Sequence, residues 1–564
     1  MRRVPSVIAA IATCSCLPLF IACKQKNNTP TQEDITALQL KRGAVVTCGP
    51  PNQQFGSVAF ENSCSPKTKA DFDLALALLH SFEYDEAEKV FARIIDKEPG
   101  TAIAYWGVAM ANFHPLWSPP TGGELQKGAK AIAIAQSLSN KTKREADYIN
   151  ATAEFYKDYD KKDHHSRALL FEKAMEKIHA DYPRDEEAAI FYALALNGAA
   201  DPADKTFSKQ KKAGDMLAAM YSEKTNHPGL VHYIIHSYDS PLLAPLGLAA
   251  ARKYASVAPS SAHAQHMPSH IFVRMGYWDE VIQSNTVAAE SARCYAESTG
   301  LEGHWDEELH CLDYLTYAYL QKGDNTRAKQ EWDYLKDMKK IDPVNFKVAY
   351  AFAAIPSRYV LENKMWKEAA TLEINPVGFS WQQYPWQSAI LYYTRGLGSA
   401  HTGDIAAAKT ALDKLKSIHD TLTLQKDVYK ANLVQVQANT VEGWTLFKEG
   451  KTADALKLMR DAADLEDNTQ KMAVTPSEIL PARELLGDML LQLNEPAKAL
   501  QEYEASLLQH ANRFNGLYDA ALAADRSGNK GKAKSYYQRL LSIADPKDQE
   551  RTELKAARLY LNKL

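Results

Sequence analysis

The chain has little charge imbalance: 66 Lys and Arg against 69 Asp and Glu leave a net charge of −3. It therefore lacks the electrostatic footprint of a nucleic-acid binder. Glycine is sparse, with 26 in 564 residues, and strand-like alternation is scarce, which disfavours a sheet-based fold. There is no Gly-rich phosphate loop, no H-E-x-x-H zinc-protease pair and no G-x-S-x-G nucleophile elbow. Long apolar runs are missing apart from residues 7–21, a stretch of signal-peptide length and too short for a comfortable membrane span. What is present is Ala, Leu, Lys and Glu in quantity and 46% hydrophobic residues, enough for a sizeable helical core.

Arg2 and Arg3 precede the apolar stretch, which ends in Phe20-Ile21-Ala22-Cys23. That tetrad resembles the bacterial lipobox, with Phe in place of the usual Leu. The resemblance implies that residues 1–22 are a lipoprotein signal peptide and that Cys23 becomes the lipidated N-terminus. The expected location is the bacterial cell envelope, anchored by lipid at the outer membrane on its periplasmic or surface face. Lys24 to Asp34 is polar and reads as a flexible tether. Cys14 and Cys16 would leave with the signal, so Cys48, Cys64, Cys294 and Cys311 remain for a disulfide-permissive compartment. Four cysteines allow three connectivities, and proximity favours Cys48–Cys64 and Cys294–Cys311.

A recurring unit runs through the rest. A small residue is followed four positions later by a large one: Ala87 and Phe91, Ala328 and Trp332, Ala408 and Leu412, Ala455 and Met459, Ala499 and Tyr503, Ala533 and Tyr537. Gly487 precedes the Ala499 copy, and Pro99 and Pro343 close two of the units. The small residue lets the two helices of a unit touch, and the large one fills the gap to the next unit. This pattern resembles the tetratricopeptide repeat (TPR). The resemblance implies an all-α fold, a TPR-type helical-repeat solenoid or superhelix after the signal peptide. The expected organisation is a tether and N-terminal segment over 23–65, a TPR region with a His-rich groove over 66–345, a second TPR region over 346–547 and a capping helix over 548–564. Residues 140–225 and 345–385 fit the pattern poorly and read as degenerate helical pairs.

The histidines fall into the same period. His232 and His266, like His236 and His270, are 34 residues apart (266 − 232 and 270 − 236), and 34 is the TPR period. Six of the 16 histidines lie between 227 and 270. One unit starts near Pro228, capped by Asn226 or His227, and the next near Ala262. His232 and His236 are then at the fifth and ninth positions of one first helix, and His263, His266 and His270 at the second, fifth and ninth of the next. By the resemblance these positions face the concave groove. The i, i+4 spacing puts each pair on one helix face. A third unit starting near Leu309 would bring His310, Asp313 and Tyr317 to the same positions. Asp239, one turn past His236, can ligate or hold an imidazole N–H. Trp106 and His114 also read as groove-lining. Pro268, mid-helix by this register, should kink it.

The stretches Asn226-His-Pro-Gly-Leu-Val-His-Tyr-Ile-Ile-His236 and Ser261-Ala-His-Ala-Gln-His-Met-Pro-Ser-His-Ile271 resemble a family of large, mostly uncharacterised bacterial TPR proteins. That resemblance implies a shared site and supplies no reaction. The chemistry supports a divalent transition metal (Zn, Cu or Fe) on His232, His236, His263, His266 and His270, with Asp239 and His310 as further candidates. The leading reading is a scaffold binding a protein or small molecule in the groove. Alternatives are a metal-dependent enzyme (hydrolase or oxidoreductase) with Asp313 or Tyr317 as acid/base, a metal-free groove for an anionic ligand aided by Arg274, and a glycan-import lipoprotein.

Overall fold

The computed structural model describes Met1 and residues 29–49, 54–116, 119–221, 226–374, 380–469, 475–545 and 551–563. The proposed signal peptide and Cys23 lie outside the described residues. Almost every described element is an α-helix, and the helices pair in sequence. Two two-residue strands, His304–Trp305 and Ile341–Asp342, pair in parallel. No helix among the described residues is long and apolar enough to cross a membrane.

The repeat shows in the helix starts. First helices begin at Pro228 and Ala262, and second helices at Ala244 and Trp278, in both cases 34 residues apart (262 − 228 and 278 − 244). Each helix packs on the next and first helices pack on first helices, as in a TPR-type superhelix. The small-to-large pairs sit at those contacts: Ala87, Phe91, Ala455, Met459, Ala499 and Tyr503 are all fully buried. Gly487 shows why the small residue is needed, because a Cβ there would lie 2.6 Å from the ring of Tyr503. Trp332 is only half-buried, since its copy lies at the edge of a core.

Local capping defines many starts. Thr121 with Glu124, and Thr142 with Glu145, form capping boxes. The segment expected to be a tether is structured where it is described. Thr31 and Asp34 cap the helix Gln32–Thr36, and Leu38, Leu40, Phe55 and Phe60 then bury themselves in the N-terminal core.

The superhelix closes on itself. Trp278 Nε1 donates to the Asn512 carbonyl at 2.9 Å, and the Asp545 backbone N–H to the Lys322 carbonyl at 2.9 Å. Two buried arginines clamp the same seam. Arg358 pairs with Asp313 (3.0 Å) and donates to the carbonyls of Ser477 (2.6 Å) and Glu478 (2.7 Å). Arg513 pairs with Glu484 (2.8 Å) and Glu362 (2.9 Å).

The cysteine pairing differs from expectation. Cys48 is joined to Cys294, with Cα atoms 5.8 Å apart, and Cys64 and Cys311 are free. Sequence proximity misled because the N-terminal segment runs back across the repeats. The Gln54 carbonyl, for instance, accepts the Ser260 backbone N–H at 3.1 Å. That return brings Cys48 beside the long helix Trp278–Thr299, which carries Cys294.

Candidate metal centre

The helix Pro228–Tyr238 starts with Pro in its first turn, where a missing N–H is harmless, and His227 caps it by accepting the Leu230 N–H at 3.3 Å. The next first helix is broken by Pro268 into Ala262–His266 and Pro268–Met275. Met267 between them keeps right-handed helical angles, so the break is a kink and His263 and His266 remain on helix. Ser261 caps it with its hydroxyl, which also donates to Glu83 at 2.6 Å. Burial raises the Glu83 carboxyl to about 7. The third helix, Asp306–Gln321, starts three residues before the expected Leu309 and still carries His310.

These helices gather six imidazoles into two triads, His232–His236–His263 and His266–His270–His310, each with its ligand atoms within 4.8 Å of one another. His232 Nε2 is 3.0 Å from His236 Nε2 and 3.1 Å from His263 Nε2, and His266 Nε2 is 3.0 Å from His270 Nε2.

The outer nitrogens fix the protons. His232 Nδ1 lies 2.6 Å from the His80 carbonyl, which can only accept. His266 Nδ1 lies 2.6 Å from Asn285 Oδ1, and the Asn285 amide is oriented by donating Nδ2 to the Val281 carbonyl at 2.8 Å. His270 Nδ1 lies 2.9 Å from Asp239, whose other oxygen accepts from Arg274 at 2.9 Å. All three rings therefore carry hydrogen on Nδ1, which in the neutral ring leaves a bare lone pair on Nε2. When both rings are neutral, His266 and His270 thus aim two lone pairs at each other across 3.0 Å. Such a contact is repulsive unless a cation sits there.

Burial, and then the neighbouring His270, push His266 well below its ordinary value. Burial does the same to His232, His263 and His310, each with a neighbouring imidazole adding to it, and drives His236 to about 3. The walls are aromatic. Phe82 lies 4.4 Å from the His232 ring and 5.5 Å from that of His263, Tyr254 stacks 5.0 Å from His232, and Tyr314 lies 4.8 Å from His266. His236, His263 and His310 are partly exposed and form the open edge.

A third group, His80–Glu187–His227, has a different chemistry. His80 Nε2 and His227 Nε2 both contact Glu187 at 2.9 Å, His80 Nδ1 contacts the Tyr233 hydroxyl at 3.0 Å, and His227 Nδ1 is the helix cap. Every nitrogen is engaged, so this group is a buried hydrogen-bond network that supports the first triad through the His80 carbonyl. Gly229 makes room for it, since a Cβ there would lie 2.5 Å from His80 Nδ1. The glycine of the His-Pro-Gly stretch is explained by that approach.

Several sequence candidates lie elsewhere. Trp106 is a core residue, 1% exposed, with its Nε1 donating to Thr152 at 3.0 Å, because its helix is buried on all sides. His114 stacks on Tyr84 at 4.5 Å and faces Glu124 at 3.4 Å. Arg274 is consumed by Asp239 and the Pro476 carbonyl (3.1 Å), so it is not placed to meet an anionic ligand. Asp313 is bound to Arg358, and Tyr317 is buried against Arg513 at 3.2 Å, so neither stands as an acid or base at the triads. Asp239 holds His270 and Arg274. Sequence reasoning missed His80, Phe82, Asn285 and Tyr314, which come from outside the histidine register; only the amphipathic setting of the helices carrying His80, Asn285 and Tyr314 hinted at burial, and Phe82 sits in a turn.

No family model matches the chain, and no curated protein matches it in sequence. Solved structures resemble it weakly. A human IFIT1 dimer with m7Gppp-AAAA is 10% identical, covering 83% of this chain and 94% of that one with a TM-score of 0.34. The APC/C hetero-tetramer Cut9–Hcn1 is 14% identical, covering 87% and 94%, with a TM-score of 0.26. Both likenesses are too loose to carry an argument about function.

Proposed function

We propose that this protein is an exported, lipid-anchored TPR scaffold whose groove histidines hold a transition metal as part of a protein- or ligand-binding site. One observation carries the metal reading: His266 and His270, each held at Nδ1 by an acceptor, turn their Nε2 atoms on each other at 3.0 Å, two lone pairs when both rings are neutral. Imidazole nitrogen with its other N–H held by a carbonyl, an amide or a carboxylate is the usual setting of a ligating histidine. Export is supported by the lipobox-like tetrad and by the Cys48–Cys294 bridge, which suits an oxidising compartment. The scaffold reading ranks above the enzyme reading because Asp313 and Tyr317 are spent on buried arginines.

The test is elemental analysis of the purified protein together with thermal unfolding of chelator-treated protein with and without added Zn, Cu, Ni, Fe or Mn. Metal in the isolated protein, or a rise in Tm on adding one of these ions, is the expected result. Protein without metal that shifts with none of them sinks the reading and leaves an organic-ligand groove.

A further inference from the structure

The six imidazoles divide three and three, and each half is a complete donor set. No carboxylate belongs to either triad, and the adjacent one, Asp239, is committed to His270 and Arg274. All-imidazole donors suit Zn, Cu, Fe or Ni and exclude the oxygen-seeking Ca and Mg.

The spacing narrows the choice. With metal–nitrogen bonds of about 2.0–2.1 Å, a tetrahedral site sets its nitrogens about 3.3–3.4 Å apart. Here two nitrogen pairs of the first triad lie 3.0 and 3.1 Å apart and one pair of the second 3.0 Å apart. These separations correspond to an angle of about 90–100° at the ion, the angle of square-based and octahedral coordination, which copper(II), nickel(II) and iron(II) adopt more readily than zinc. Copper also heads the affinity order of the divalent ions for such donors.

The triads adjoin. The rings of His236 and His270 are 6.3 Å apart, and His263 and His266 sit one turn apart on the same short helix. The partly exposed edge at His236, His263 and His310 offers both sites a way in from solvent. Three protein ligands leave each ion an open position.

We propose that the groove holds a pair of copper ions, one on His232, His236 and His263 and the other on His266, His270 and His310. This rests on the metal reading above and adds the number of ions and their identity. The experiment is titration of the metal-free, full-length mature protein with Cu(II), with retained copper counted after gel filtration and the spins counted by electron paramagnetic resonance. Wild type should retain two equivalents, with a signal broadened by dipolar interaction between the two neighbouring ions. His236→Gln and His310→Gln each remove a part-exposed ligand from one triad. Each variant should keep native circular dichroism, retain one copper and show one full, isolated Cu(II) signal. Wild type retaining a single copper, or either variant still retaining two, overturns the pair while leaving a metal site standing. Wild type retaining no copper and responding to no other metal overturns both.

Discussion

The two halves of the superhelix bury histidine in opposite ways. In the C-terminal half His401 lies between aromatic rings, 3.7 Å from Trp366 and 4.1 Å from Trp444, with no hydrogen-bond partner at Nε2. In the N-terminal half six imidazoles face one another, and His232, His266 and His270 have their outer nitrogens held. Burial pushes both kinds below the ordinary value, His401 to about 3. A depressed imidazole therefore does not mark a site here. What separates the halves is convergence of lone pairs, and convergence requires partners that fix the far side of each ring. The C-terminal repeats spend their contacts on packing instead: a Cβ at Gly396 would meet Val441 at 2.7 Å, and one at Gly443 would meet Met459 at 3.0 Å.

The largest effect should come from the Cys48–Cys294 bridge, which staples the N-terminal half across 246 residues. From loop-closure entropy, its removal should lower stability by about 5–6 kcal/mol. Calorimetry of Cys48→Ser against wild type checks this, and an unchanged transition would mean the bridge does not form. Next comes the seam between the halves. Arg513→Met leaves Glu362 and Glu484 buried and unpaired and should cost about 3–5 kcal/mol. The exposed Lys530–Asp525 pair should matter by less than about 1 kcal/mol when Lys530 becomes Ala. Equal losses for the two variants, by denaturant titration, would show that the seam is not a packed interface.

Asn285→Ala removes only the partner that orients His266. Metal should bind about 10–100-fold more weakly with its stoichiometry unchanged. Unaltered affinity in competition with a chromogenic chelator would break the link between held rings and ligation. A further effect appears only at acid pH. His401 has its folded value lowered from 6.5 to about 3 by burial. The unfolded chain therefore takes up its proton first, and stability rises with pH. The contribution is fully present above 6.5 and is lost as pH falls from there towards 3. His401→Phe should flatten that part of the Tm–pH curve, while wild type and variant converge near pH 7. A parallel pair of curves would assign the acid sensitivity elsewhere.

Much of the frame was legible because it is periodic. The register placed helix starts at Pro228 and Ala262 and a kink at Pro268, and the chain does start and bend there. The third start was misplaced by three residues. The preceding helix runs 22 residues to Thr299 and the His304–Trp305 strand follows, which lengthens the unit beyond the period. Contacts remote in sequence were invisible. Asp313 and Tyr317 occupy groove positions by register, yet the closing superhelix brings Arg358 and Arg513 onto them. Cys48 finds Cys294 because an irregular segment crosses the repeats, which no periodicity encodes. The partners that fix the ring protons, the His80 carbonyl and Asn285, lie 152 and 19 residues from the histidines they hold.

The central claim is that His266 and His270 present opposed, unprotonated Nε2 atoms to a cation. Nitrogen-15 NMR of histidine side chains in the metal-free protein, assigned with His266→Gln and His270→Gln, reads this directly. The account predicts hydrogen on Nδ1 and none on Nε2 for both rings near neutral pH, with both Nε2 resonances moving when metal is added. An Nε2–H form at either ring would contradict it, because an ordinary N–H···N hydrogen bond would then account for the 3.0 Å contact without any metal.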